Sequence, residues 1–307
     1  MEAKKTRINN SKSLFGIEVE FYIVDQNDFP VLNSNEIVKN VCIEFDSSLS
    51  IVQELSSFQI EINPGPWELN NSGLNQCINE LKYHYSILKN VVSKYGWHLC
   101  EYLTPRKITQ NIINHSDYYT KGERYQASSS YFSNRKDVVL KNNDVELIFP
   151  GESIIGCINE IHIHVQLQSD SKTIELFNYL NKKGVKLVDK FSQPIIFNNV
   201  IYNKYNSYTL FELANGEYNS EGTVNRVGNI PFKINSYKEY QKTLNTFNSI
   251  PYINKNDYLD IESTVYFWTR LRNKPNNLRV EFRPMEMGIN WIERVKYLYE
   301  TMKSLML

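Results

Sequence analysis

Charged and imidazole side chains recur at two-residue spacing in four short segments of the 307-residue sequence. Glu18 and Glu20 lie in Phe15–Phe21, Gln59 and Glu61 in Phe58–Asn63, His162 and His164 in Asn159–Leu167, and Arg279, Glu281 and Arg283 in Asn277–Pro284. The intervening positions are apolar, as in Phe15, Ile17, Val19 and Phe21 or Leu278, Val280 and Phe282. Period two puts the two sets on opposite faces of a strand, one face for a core and one for chemistry. Side chains two residues apart on a strand are roughly 7 Å apart. Carboxylates that close repel unless a cation or an arginine lies between them. Glu54 adds another carboxylate seven residues before Glu61, with Ser56 and Ser57 permitting a turn between them.

Several carboxylates with imidazole suit a hard divalent cation. Mg2+ or Mn2+ takes oxygen ligands, and Mg2+ keeps positions for water and phosphate oxygens. Zinc fits less well, because the sequence has no HExxH and no thiolate set. Arginines on either side of Glu281 offer forks for phosphate or carboxylate oxygens. Carboxylates, a cation and arginines together suit phosphoryl transfer from a nucleotide, where catalysis is mostly positioning and charge neutralisation. Taken singly, each pattern is commonplace: an ExE strand is usually a solvated edge and an RxExR strand a surface ion-pair ladder. The weight comes from four polar faces that all carry such residues.

The elements that would position them follow from periodicity. Strands are expected over about 14–25, 51–55, 58–63, 97–103, 159–167 and 277–284. Leu74, Ile78, Leu81, Tyr85, Leu88 and Val92 mark one face of an amphipathic helix begun by Asn71 or Ser72 and ended by Gly96. His84 lies beside that stripe as a packing or surface residue. Further helices are expected over about 172–191, 237–248 and 291–306. Residues 35–45 fit either a short helix or a strand. Residues 104–143 and 198–235 look irregular, the first as a site cover or binding loop, with Gly122–Tyr125 and Tyr131-Phe132 as its ordered anchors. One curved antiparallel sheet with helices on its outer face would turn the four charged faces into one concave wall.

The totals narrow the class. The sequence is 41% hydrophobic and 22% charged with a formal net charge of zero, as expected of an ordinary globular protein without bulk attraction to nucleic acid or acidic membranes. No run of 18 apolar residues suggests a membrane span. The charged N-terminal segment does not resemble a secretory signal. Cys42, Cys77, Cys100 and Cys157 form no CxxC pair and are expected to be buried, reduced thiols of a cytoplasmic protein. No Walker A loop, GxGxxG or Ser-His-Asp arrangement stands out. No linker divides the chain, so residues 1–307 are expected to form a single domain.

Gly16–Phe21, Glu54 with Phe58–Asn63, His162-Ile163-His164 and Leu278–Arg283 occur in an order and spacing that resemble the glutamine synthetase superfamily, and within it the glutamate–cysteine ligase type 2 carboxylate–amine ligases. The resemblance implies an α+β fold, a curved and mainly antiparallel sheet with helices outside and an open funnel-shaped active site. It implies that Glu20, Glu54 and Glu61 hold the ion that bridges the acceptor carboxylate and the transferred phosphate. Glu18, His162 and Glu281 would hold the ion on the nucleotide phosphates. Arg283 would neutralise the transferred phosphoryl group, and with Glu61 it is the implied catalytic residue. His164, Arg279 and Arg226 would lie against the nucleotide or substrate.

The implied reaction uses ATP and Mg2+ or Mn2+ to join a small amino-acid-like carboxylate, glutamate by default, to a small amine through an acyl phosphate. The chain is short for the group, and its substrate loop is not recognisable, so neither substrate is fixed. A homo-oligomer is allowed. Two other readings use the same scaffold: a guanidino-kinase-like phosphotransferase, and a non-catalytic nucleotide- or metabolite-binding protein.

Overall fold

The structure, a computed structural model, describes residues 12–45, 50–142, 145–273 and 277–306. The charged N-terminal segment lies outside them. Eight strands form one sheet: β1 (Leu14–Val24), β2 (Ile51–Gln53), β3 (Gln59–Ile62), β4 (Trp67–Glu68), β5 (His98–Cys100), β6 (Glu160–Gln166), β7 (Thr269–Asn273) and β8 (Leu278–Glu286). Their order is β7-β8-β6-β1-β3-β2, with β4 and β5 also paired to β1, and every pairing is antiparallel. The long strand β1 therefore forms the axis of the molecule.

Alternation along the strands decides which face is dry. Phe15, Ile17, Val19, Phe21, Ile161, Ile163, Val165, Val280 and Phe282 are all buried in the main core. Helices α1 (Ser34–Glu44), α2 (Asn71–Ser93), α4 (Asp170–Val188), α6 (Tyr237–Leu244) and α7 (Trp291–Ser304) contribute their apolar stripes to that core. Asn70 starts α2, its side chain accepting the Gly73 N–H at 2.8 Å. Ser169 starts α4 in the same way, accepting from the Lys172 N–H. Gly184 lets α4 press onto the sheet, since a Cβ there would collide with the Phe282 ring. Among the described residues no helix is long and apolar enough to cross a membrane.

Register then fixes which polar residues meet. Glu20 faces Glu61 across β1–β3, and Glu18 faces His162 across β1–β6. Glu281 sits between His164 on β6 and Arg270 on β7. The β6–β8 pairing is regular to Ile163–Phe282 and resumes one residue out of step at Ile161–Met285. Pro284 lies in that bulge, where a missing N–H is tolerated.

Two stretches that look irregular in sequence are structured. Residues 104–143 hold a short helix at Gln110–Ile113, the helix α3 (Glu123–Phe132) and the strand Val138–Asn142, which pairs with Val145–Phe149. Residues 198–235 hold α5 (Ser207–Asn215). These parts enclose a second core with Phe58, Tyr118, Phe149, Cys157 and Phe211. The buried residues of α3 are Ala127, Ser128 and Phe132, so it has no apolar stripe for periodicity to detect.

Candidate active site

The polar faces of β1, β3, β6, β7 and β8, with α3 opposite, line a cavity of about 390 Å3. Glu20, Glu54 and Glu61 each direct one oxygen to a common point, the three lying within 4.8 Å of one another. Glu20 is held in place: its Oε2 accepts the Glu160 N–H at 2.8 Å and Gln59 Nε2 at 3.3 Å. Glu61 Oε1 accepts from Asn63 Nδ2 at 2.7 Å. Burial, then repulsion from Glu54 and Glu160, pushes the Glu20 carboxyl up to about 8. Burial and the neighbouring Glu18, Glu54 and Glu20 raise Glu61 strongly, and burial with Glu18 raises Glu54 against the pull of Arg124. Among the described residues, the ion-pair contact nearest this triad is His162 Nε2, 3.8 Å from Glu20 Oε1. Three oxygens gathered in a buried site without a bonded cation fit a hard divalent ion.

Next along the wall, Glu18 sits between two imidazoles, with His162 Nδ1 2.9 Å from Oε2 and His164 Nε2 2.8 Å from Oε1. Burial opposes its charge, but His164 and His162 hold Glu18 well below the usual carboxylate range. Burial likewise opposes the charge of His162, and Glu160 and Glu18 nonetheless raise it strongly. Potential ligand atoms gather as Glu18–His164–Glu281 and as Glu18–Glu61–His162. The expected set of Glu18, His162 and Glu281 is not among these groups. The register explains why: Glu281 lies opposite His164, and His162 is one strand repeat further along the same face.

Arginines close the other side. Glu281 contacts the Arg270 guanidinium and lies 3.6 Å from both Arg272 Nε and Arg283 Nε. Burial disfavours its charge, yet Arg270 and His164 hold Glu281 far below its ordinary value. Burial and the neighbouring Arg270 lower Arg272. The Nε groups of Arg270, Arg272 and Arg283 are buried without a hydrogen-bond acceptor. Such donors suit an oxyanion with several oxygens. Arg279 Nε donates to His164 Nδ1 at 3.3 Å.

Arg226 does not join them. It is fully buried, and its guanidinium donates to Glu217 Oε2 at 2.9 Å, Thr264 Oγ1 at 2.9 Å and the Asn248 carbonyl at 2.8 Å. Its hydrogen bonds hold the fold together instead of facing the cavity, which corrects the nucleotide-binding role expected for it. Three cavity arginines were not singled out from sequence. Arg270 and Arg272 flank Leu271 in Thr269–Asn273, but the outer positions are Thr and Asn, so the period-two signal is weaker than in the other strands. Arg124 comes from α3, where no pattern marked it.

The model of glutamate–cysteine ligase family 2 matches residues 14–184, more than half of the chain and the part that carries β1 to β6. The chain belongs to that family. No curated protein matches the sequence. Among solved structures, this family member is similar to the glutamate–cysteine ligase of Francisella tularensis in complex with AMP. That match has a TM-score of 0.54 and 14% identity, and covers 90% of this chain and 61% of the other. It is also similar to a bifunctional glutathione synthetase from Pasteurella multocida, with a TM-score of 0.53 and 12% identity, covering 95% of this chain and 38% of the other. The chain thus spans less than two thirds of either protein. These likenesses establish the ligase-type α+β fold with its large, mainly antiparallel sheet.

Proposed function

We propose that this family member is an ATP- and Mg2+-dependent carboxylate–amine ligase that forms an amide through an acyl phosphate. The observation that carries this is one cavity in which an all-oxygen acidic triad, Glu20, Glu54 and Glu61, faces arginines whose buried Nε–H groups are unfilled. A second cavity of about 340 Å3, lined in part by Leu14, Gly16, Pro64 and Pro66, adjoins it through Glu18, Asn63, His164 and Arg279. The nucleoside is assigned to this more apolar cavity, and its phosphates to the stretch from Arg279 to Arg283. The relative solved with AMP supports a nucleotide in this fold.

Glu20, Glu54 and Glu61 would hold one ion. Glu18 would help hold another, with His164 and Glu281 or with Glu61 and His162. Bound there, divalent ions would screen the repulsion between the reacting oxygens. The chain's own groups do the positioning. The Glu160 N–H, Gln59 and Asn63 fix the triad, while Arg270, Arg272 and Arg283 surround the transferred phosphoryl group. A substrate carboxylate oxygen attacks the γ-phosphorus, and the bond to the β–γ bridging oxygen breaks. The amine nitrogen then attacks the acyl carbon, phosphate leaves, and a proton is lost from nitrogen. The carboxylate is taken to be amino-acid-like, with glutamate the first to try.

Hydroxylamine traps acyl phosphates as hydroxamates, so the test is a panel of amino-acid carboxylates with Mg-ATP and hydroxylamine. At least one should yield a hydroxamate and ADP in equal amounts, and Arg283→Ala should abolish both. Absence of ADP and hydroxamate with every carboxylate, in protein that binds Mg-ATP, would sink the proposal.

A further inference from the structure

Behind the cavity wall lies a carboxylate that the ligation steps leave without a task. Glu152 is fully buried, and one oxygen, Oε2, accepts three hydrogen bonds: from Asn215 Nδ2 at 2.9 Å, Ser128 Oγ at 3.1 Å and Tyr266 Oη at 3.2 Å. Its other oxygen has no hydrogen-bond partner. Ser128 and Tyr266 line the cavity, beside Phe211 and Ile155. A hydroxyl has one proton and two lone pairs. Both hydroxyls give their proton to Glu152, so lone pairs are what they can turn toward the cavity. That patch favours an N–H donor and disfavours a carbonyl or carboxylate oxygen. It differs from the rest of the wall, where carboxylates suit cations and guanidinium groups suit oxyanions.

We propose that Glu152 is a positioning residue that makes Ser128 and Tyr266 a paired acceptor for the N–H-bearing head of a substrate, a primary amine or ammonium group. The assignment rests on the ligase function and deepens it, giving the nitrogen group a subsite in the cavity. Arg124, one helical turn before Ser128, also lines the cavity and among the described residues forms no ion pair. Its charge also acts on Glu54 and Glu152, so selection of an N–H group rests on the lone pairs of the two hydroxyls.

The test is calorimetric binding in the presence of Mg-ADP. The probes are small primary amines and amino acids, each compared with the counterpart carrying hydrogen in place of the amino group. At least one amine should bind the wild-type protein, about tenfold or more tighter than its counterpart, the value of one well-made hydrogen bond in a dry site. Glu152→Leu frees both hydroxyl protons to point into the cavity and should erase that preference. Glu152→Gln keeps a carbonyl acceptor and should restore most of it. The double variant Ser128→Ala, Tyr266→Phe removes the acceptors directly and should also erase it, whether or not Glu152→Leu folds. Mg-ADP affinity should be unchanged throughout. Retention of the preference in the double variant overturns the assignment, as does a wild-type protein that binds Mg-ADP but prefers no amine. A wild-type protein that fails to bind Mg-ADP removes the ligase function itself, and the subsite with it.

Discussion

Replacing Glu281 by glutamine should cost the metal-free protein about 3–5 kcal/mol of stability, the usual loss when one partner of a buried ion pair is removed. The Glu281 side chain is 2% exposed, and those of Arg270 and Arg283 are 11% and 12% exposed. At the 3.6 Å separation of Arg272 and Arg283 from the carboxylate, an effective dielectric of about 20 makes each attraction about 4–5 kcal/mol before desolvation. Glutamine keeps the shape but takes away the carboxylate charge that the three guanidinium groups share. Burial works against the Glu281 charge, but Arg270 and His164 more than offset it and depress the carboxyl. Its stabilising contribution is therefore present above the unfolded value of 4.5 and lost as pH falls through the lower folded value. The assay is urea unfolding followed by tryptophan fluorescence in EDTA, at neutral pH and across the acid range, with and without pyrophosphate. Wild type and variant should differ at neutral pH and converge in acid. Pyrophosphate should stabilise the variant more than the wild type, since it supplies the missing negative charge. A loss under about 1 kcal/mol at neutral pH, well below the range for a broken buried pair, would refute the idea that these arginines depend on Glu281.

Glu61→Gln should weaken Mn2+ binding, read by calorimetry, by about 10–100-fold or more, since it removes a charged ligand outright. Gly184→Ala should destabilise the fold by about 1–3 kcal/mol in urea titrations, because the added methyl meets the Phe282 ring. Arg226→Met should lower the melting temperature but leave the Mg-ADP affinity of the folded protein unchanged, as its hydrogen bonds to Glu217, Thr264 and Asn248 are internal. Burial raises the Glu286 carboxyl from 4.5 to about 7. A raised acid favours the fold fully below 4.5 and loses that contribution as pH rises through about 7. Glu286→Gln should thus flatten the fall in stability between pH 4.5 and about 7, by about 1–3 kcal/mol.

Most of the sheet was legible because its strands are half dry and half charged. Phe15–Phe21, Phe58–Asn63, Asn159–Leu167 and Asn277–Pro284 all became strands with the expected dry face. Helices α2, α4 and α7 were legible from apolar spacing. The structure brings Glu20, Glu54 and Glu61 together, a grouping that the family resemblance implied. What escaped depended on tertiary context. Helix α3 buries Ala127 and Phe132 in a small apolar cluster and turns Ser128 to the cavity, and so carries no apolar rhythm. The pairing of Glu281 with His164 rather than His162 is a matter of register, which no single strand encodes. Arg226 has the same charge as Arg283, and only its surroundings separate a buried tie from a cavity-lining group.

The extra residue in β8 between Phe282 and Met285 sets the reading frame of that strand. Without it, strict alternation would turn Met285 and Met287 toward the polar side after Arg279, Glu281 and Arg283. With it, both methionines enter the dry interior. Beyond the bulge the polar side resumes at Glu286, and oily side chains are kept from intruding on the reacting groups. Removing one residue at Pro284 would transpose every later side chain of the strand.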